Sequence, residues 1–183
     1  MTIEEKNKLL EQLQNSDNWP NIFRPSFMGE LNSFADEIFE KNTVEGMISS
    51  LLIYQQIVEK MVISLIEISQ FYTRCQLINF NTKEVKLENK MFGQLLQELE
   101  KTPNISETTQ FIKKCKMLND IRIKIVHKIS HKKSLKEIKE VSKISKPIFD
   151  EIYTLYDKIY DEWRHCLSQL KCDYSDFDIE EII

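Results

Sequence analysis

Apolar residues return every three or four positions over most of the chain, a helical rather than a strand period. The longest run is Met47, Leu51, Tyr54, Val58, Met61, Leu65, Ile68, Tyr72 and Cys75, with Thr43 where an N-cap belongs. A second row, Val44, Ile48, Leu52, Val62 and Ile66, widens that stripe, so this helix is expected to sit centrally in a bundle. Phe149, Tyr153, Tyr156, Tyr160, Trp163, Leu167 and Leu170 form another such seam.

Shorter elements fill the rest. Thr2 and Glu5 make a capping box for a helix to about residue 14, and Ser26 can cap one to about residue 41. Between them, Pro20 and Pro25 punctuate a loop that Trp19 and Phe23 tuck onto the body. Residues 79–90 are polar and read as a connector. A helix over about 91–101 turns Phe92, Leu95, Leu96 and Leu99 inward and stops at Pro103. Ser106 starts a helix to about residue 131, and Ser134 with Glu137 caps the last helical stretch. Pro147 either kinks that stretch or sits in the first turn of a new helix. The pattern predicts an all-α, up-down bundle of about five main helices. Residues 1–42 form an N-terminal helical extension, 43–170 the bundle, and 171–183 an acidic, loose tail.

Composition narrows the function classes. The chain has 183 residues, 42% of them hydrophobic, enough for a core without staples. Gly29, Gly46 and Gly93 are isolated, which removes P-loop and Rossmann nucleotide chemistry. Cys75, Cys115, Cys166 and Cys172 form no C-x-x-C pair, so zinc-ribbon and thioredoxin readings fail. The most hydrophobic stretch, residues 44–68, contains Glu45, Gln55, Glu59, Lys60 and Glu67, so no membrane span is expected. The first eleven residues are charged and lack an apolar segment, so a cytoplasmic protein with reduced cysteines is expected. No cofactor or metal is expected either.

The charge changes the picture. Residues 111–147 hold 12 Lys/Arg against 3 Asp/Glu, a net of +9 inside a chain whose total is −4. Such a segment is either a solvated helix face or a phosphate-attracting surface.

Within it, the helix from Ser106 should bury Phe111, Cys115, Leu118, Ile125 and Ile129. The residue at the missing step is Arg122, partly replaced by Ile121. A guanidinium bordering an apolar stripe needs a partner, such as a carboxylate elsewhere in the bundle. On an α-helical wheel Arg122 and His127 lie about 140° apart, with Asn119, Val126 and Ile123 between them. That second, mostly apolar strip is expected to face a partner.

The stretch Leu118-Asn119-Asp120-Ile121-Arg122-Ile123-Lys124-Ile125-Val126-His127 resembles the R-x4–6-H signature of HEPN domains. The preceding Phe92-Gly93-Gln94-Leu95-Leu96 and the long helix before it are also similar to that superfamily, and the resemblance spans about residues 43–170. It implies a HEPN-like bundle and a homodimer whose signature helices meet, pooling two Arg and two His. Active members are metal-independent endoribonucleases, so His127 would be the acid/base and Arg122 the stabiliser of the phosphorane. Asn119, Lys124, Lys128, His131, Lys132 and Lys133 would contact RNA. A toxin or phage-defence setting, with an antitoxin or other protein partner, fits this class. One departure is plain: Ile123 stands where active members usually carry a polar residue, often Asn, and Asn119 is placed to compensate. Non-catalytic members bind RNA or regulate partners, so a dimeric binding module is the alternative.

Other groupings are weaker. His127 and His131 have a one-face zinc spacing, but no third ligand is evident. His165 and Cys166 are adjacent, and so point about 100° apart on a helix. The row Tyr153, Tyr156, Tyr160 and Trp163 fits core or dimer packing better than base stacking.

Overall fold

A computed structural model describes residues 3–15, 20, 26–77, 85–103, 105–127, 129–131 and 134–175. Within these, the side chains of Ile3, Lys6, Ser26, His127, Ser130 and residues 171–175 lie outside the description. All regular elements among the described residues are helical: α1 (Ile3–Gln14), α2 (Ser26–Glu40), α3 (Val44–Gln76), α4 (Phe92–Glu100), α5 (Thr108–Arg122), α6 (Leu135–Lys143) and α7 (Ser145–Ser175). A π turn (Ile123–His127) and a 3-10 turn (Ile129–His131) follow α5. The Thr2 capping box and the Trp19/Phe23 loop fall outside the described residues. No helix among the described residues is long and apolar enough to cross a membrane.

Helix ends follow local chemistry. Asn42 takes the left-handed conformation (φ 55°) that closes α2, a role open to Asn because its short side chain tolerates that region. Thr43 caps α3, its Oγ1 accepting from the Gly46 amide at 3.0 Å. Ser134 caps α6 by accepting from the Glu137 amide at 3.2 Å. Pro147 sits in the first turn of α7, where its missing N–H is harmless.

The tight Asn42-Thr43 corner folds α2 back along α3. Gly46 lies against Ile38 and, one turn on, Ser50 donates to the Ala35 carbonyl at 2.7 Å, so the pair is an antiparallel hairpin, which Tyr54 ties further by donating to Asp36 at 2.6 Å. Their approach is close enough to require glycine. A Cβ on Gly46 would stand 2.6 Å from the Ile38 carbonyl oxygen, a backbone atom that cannot swing aside. Gly46→Ala is therefore expected to destabilise by about 1–3 kcal/mol through overpacking, despite alanine's better helix propensity. Urea unfolding measures it; an unchanged or raised midpoint would mean that the two helices stand farther apart.

Helix α3 is the central post. Every residue of its main seam is buried except the half-buried Tyr72. The second row divides: Val62 and Ile66 are buried, Val44 and Ile48 half-buried, and Leu52 is exposed. Helix α7 runs parallel to α3, with Tyr54 stacked on Phe149 (4.2 Å) and Tyr72 edge-on to Trp163 (5.4 Å). Helix α5 runs antiparallel to α7. Ser106, just ahead of α5, bonds Glu162, Phe111 meets Tyr156, and Lys114 pairs with Glu151. The aromatic row of α7 is therefore core, as the seam spacing suggested. The long helices α2, α3, α5 and α7 therefore alternate in direction, as in an up-down bundle.

Leu9 and Leu13 of α1 and Ala35 of α2 are buried in the same core as α3–α7. Lys146 joins three elements: it pairs with Asp36 at 3.2 Å and lies over the Tyr54 and Phe149 rings. Burial alone would lower its ammonium pKa, but the hydrogen bonds it donates to Asp150 and Asp36 prevail and raise it.

Candidate functional site

The antiparallel run of α5 carries its C-terminal end toward the starts of α3 and α7. There the signature helix changes character. Ile123 keeps α-helical angles (φ −59°, ψ −45°), but residues Ile123–His127 form a π turn instead of continuing α5. Lys128 lies outside the described residues, and a 3-10 turn ends at His131. The expected unbroken helix to residue 131 is thus three pieces, and α5 begins at Thr108 rather than Ser106.

The core seam explains where the break falls. Phe111, Cys115, Leu118, Ile121 and Ile125 are all buried. Ile121 takes the place that strict stepping assigned to Arg122. Ile129, expected next on the stripe, is instead 43% exposed. A π turn spends one extra residue per hydrogen-bonded turn, which shifts the phase of everything after it. Ile129 lies beyond that turn and within the 3-10 turn, so an α-helical count no longer places it on the stripe.

Arg122 is half-buried, and its Nε donates to the Asn119 Oδ1 at 3.2 Å. Among the described residues no carboxylate pairs with it, so the terminal N–H groups of the fork are not consumed by an internal ion pair. Asn119 is thus the residue that orients Arg122 from one turn earlier. Lys124 and His131 are exposed. His127 closes the π turn with its backbone, its side chain lying outside the description, while Lys128, Lys132 and Lys133 lie outside the described residues altogether.

The +9 segment does two jobs. Lys114, Lys116, Lys143 and Lys146 are paired with Glu151, Glu100, Glu140 and Asp36, respectively. They tie helices together or sit in local pairs. Lys113, Lys124, Lys136 and Lys139 have no acidic partner among the described residues. The positive surface is therefore narrower than the count of lysines implied.

Of the second apolar strip, Val126 is exposed, while Ile123 and Asn119 are half-buried. One feature that sequence reasoning missed lies beside it. A groove of about 490 Å³ opens between α4 and α5, floored by Leu99 and Ile112 and rimmed by Lys113, Lys116, Met117 and Asp120. The i, i+3/i+4 spacing of Lys113, Lys116 and Asp120 on α5 was visible, but the opposing wall comes from α4. Neither a family model, nor a curated protein, nor a solved structure matches this chain.

Proposed function

We propose that this chain is a HEPN-like, metal-independent RNA endonuclease that works as a homodimer, with Arg122 and His127 of each copy lining one cleft. The observation that carries the reading is Arg122. It is held at Nε by Asn119 and free of any carboxylate among the described residues, at the end of α5 and just ahead of the turn that closes at His127. A fork-shaped cation kept available in this way suits a phosphate oxygen better than a structural salt bridge.

The chemistry needs little else. RNA carries its nucleophile, the 2′-OH, beside the scissile phosphate. A His127 imidazole takes the 2′-OH proton as the 2′-oxygen bonds to phosphorus. The bond from phosphorus to the 5′-oxygen breaks, and the imidazolium of the second copy returns a proton to that leaving oxygen. Arg122 stabilises the added negative charge of the phosphorane. Exposed Lys124, with Lys128, Lys132 and Lys133 nearby in sequence, would track the backbone.

Purified protein is expected to cleave RNA in EDTA, leaving 2′,3′-cyclic phosphate and 5′-hydroxyl ends, at a rate that falls steeply with added salt. Gel electrophoresis and end analysis measure this. No cleavage of structured or unstructured RNA at any protein concentration would reject the enzyme.

A second reading is favoured by Ile123, half-buried beside exposed Val126 where active relatives of the HEPN type usually carry a polar residue. On that reading the strip docks a partner protein, such as an antitoxin, or the dimer holds RNA without cutting it. Binding of RNA with a steep salt dependence and no product would support it.

A further inference from the structure

The last third of α3 breaks its own pattern. The row on this face runs Val62 and Ile66 and then continues, at helical spacing, as Ser69 and Thr73. Ser69 is 1% exposed, as covered as Ile66 beside it. Burying hydroxyls costs free energy unless they are bonded, and small side chains leave room that a leucine would fill. Helix α4 ends beside this face, with Lys101 as its C-cap and Thr102 and Pro103 just beyond.

The space left is a cavity of about 560 Å³, within the range of sites that enclose a small molecule. Among the described residues, buried Ile66 and Ser69 form its floor, and Val85 and Pro103 add apolar wall. The polar groups around it favour one sign of charge. Arg74 and Lys101 bring cations, and Ser69 and Thr73 bring hydroxyls. Glu98 is the one carboxylate on the wall among the described residues. It already accepts from Lys90 at 3.1 Å and from Lys101 at 3.2 Å, and these bonds hold its carboxyl below the usual carboxylate range. The Arg74 guanidinium lies 5.8 Å from the centre of the Phe71 ring. It interacts within the chain as well, but its five N–H donors serve more than one acceptor. Arg74, Lys101 and Lys90 against Glu98 leave a positive balance above an apolar floor.

We propose that this cavity binds a small amphiphilic anion. An alkyl or aryl body sits on Ile66 and Val85, and its anionic head is held by Arg74 with the hydroxyls of Ser69 and Thr73. The surplus of positive charge disfavours a cationic head on the same body. Arg122 stands toward the start of α3 and the cavity at its end, so this site does not rest on the ribonuclease reading.

The probe is 8-anilinonaphthalene-1-sulfonate, an aromatic anion that brightens on leaving water. Titrated into the folded chain, it should saturate at one molecule per chain, with a Kd of about 1–100 µM for a ligand of its size. Octanoate should displace it, and octylammonium, the same chain with a cationic head, should be at least about tenfold weaker. Arg74→Gln should weaken the probe at least about tenfold, as loss of a hydrogen bond to a charged group does. Thr73→Met, which fills the cavity from its rim, should abolish saturable binding, with far-UV circular dichroism confirming the fold. The two competitors act on the unaltered chain, so their result stands whatever the variants do to folding. Fluorescence that never saturates, equal displacement by both competitors, or binding unmoved in both folded variants overturns the proposal. Cleavage of RNA, or its absence, bears on none of these outcomes.

Discussion

Replacing His127 by alanine is expected to lower RNA cleavage in EDTA by roughly 100- to 10,000-fold, the range for loss of a general acid or base. The far-UV circular dichroism and the dimer mass should not change. On the proposed mechanism the effect is large because the copies share the work: with one imidazole taking the proton and the other returning it, a homodimer of the variant would lose both functions together. Arg122→Ala should cost about 100- to 1,000-fold, as removal of a preorganised donor to a developing oxyanion does. Arg122→Lys should rescue little, because an ammonium cannot both hold Asn119 through Nε and present a fork to phosphate. Asn119→Ala should cost less, since it leaves the guanidinium present but unaimed. Single-turnover rates on a short labelled RNA would measure all four. Cleavage undiminished in His127→Ala would place the activity elsewhere in the molecule or outside it.

The largest expected loss of stability follows Phe111→Ala. Phe111 is fully buried, and its ring packs 6.4 Å from that of Tyr156, so it pins α5 to α7. Truncating a buried phenylalanine costs about 3–5 kcal/mol, the lost transfer energy plus the cavity left behind. A domain of ordinary stability, about 5–15 kcal/mol, would keep only part of its margin. At this chain length the melting temperature should drop by roughly 6–20 °C. The consequence reaches the site, because α5 is the element that delivers Arg122. A loss below about 1 kcal/mol in urea unfolding would mean that α5 does not pack on α7 through this face. Phe111→Leu, which refills most of the volume, should recover more than half of the loss.

Much of the bundle was legible because helical periodicity is a local property that burial reinforces. The seams of α3 and α7 follow the four-three stepping almost residue by residue, and the four inward residues of α4 are all buried. Thr43 and Ser134 cap where side-chain chemistry places caps. Reading failed where it assumed a constant phase. Ile129 was placed on the stripe by counting in steps of an α-helix, and the π turn invalidates that count. Leu52 belongs to the second row by spacing, but among the described residues no neighbouring element covers that point of α3 fully. The lysines of the basic segment looked equivalent in the sequence. Their acidic partners Glu100, Glu151 and Asp36 lie on α4, α7 and α2, so which charges remain available depends on helix packing.

The sequence by itself determined that this is a helical protein with one basic stretch, and that Arg122 and His127 fall within it five residues apart. Those are consequences of side-chain pattern and count. Only the tertiary structure decided how α5 ends, which lysines are consumed in holding the bundle, and that Asn119 is the residue holding Arg122. The physical reason is one of range. Periodicity and capping act over about one turn of chain, whereas the pairing of lysines in the basic stretch depends on which residues of α2, α4 and α7 the packing brings beside them.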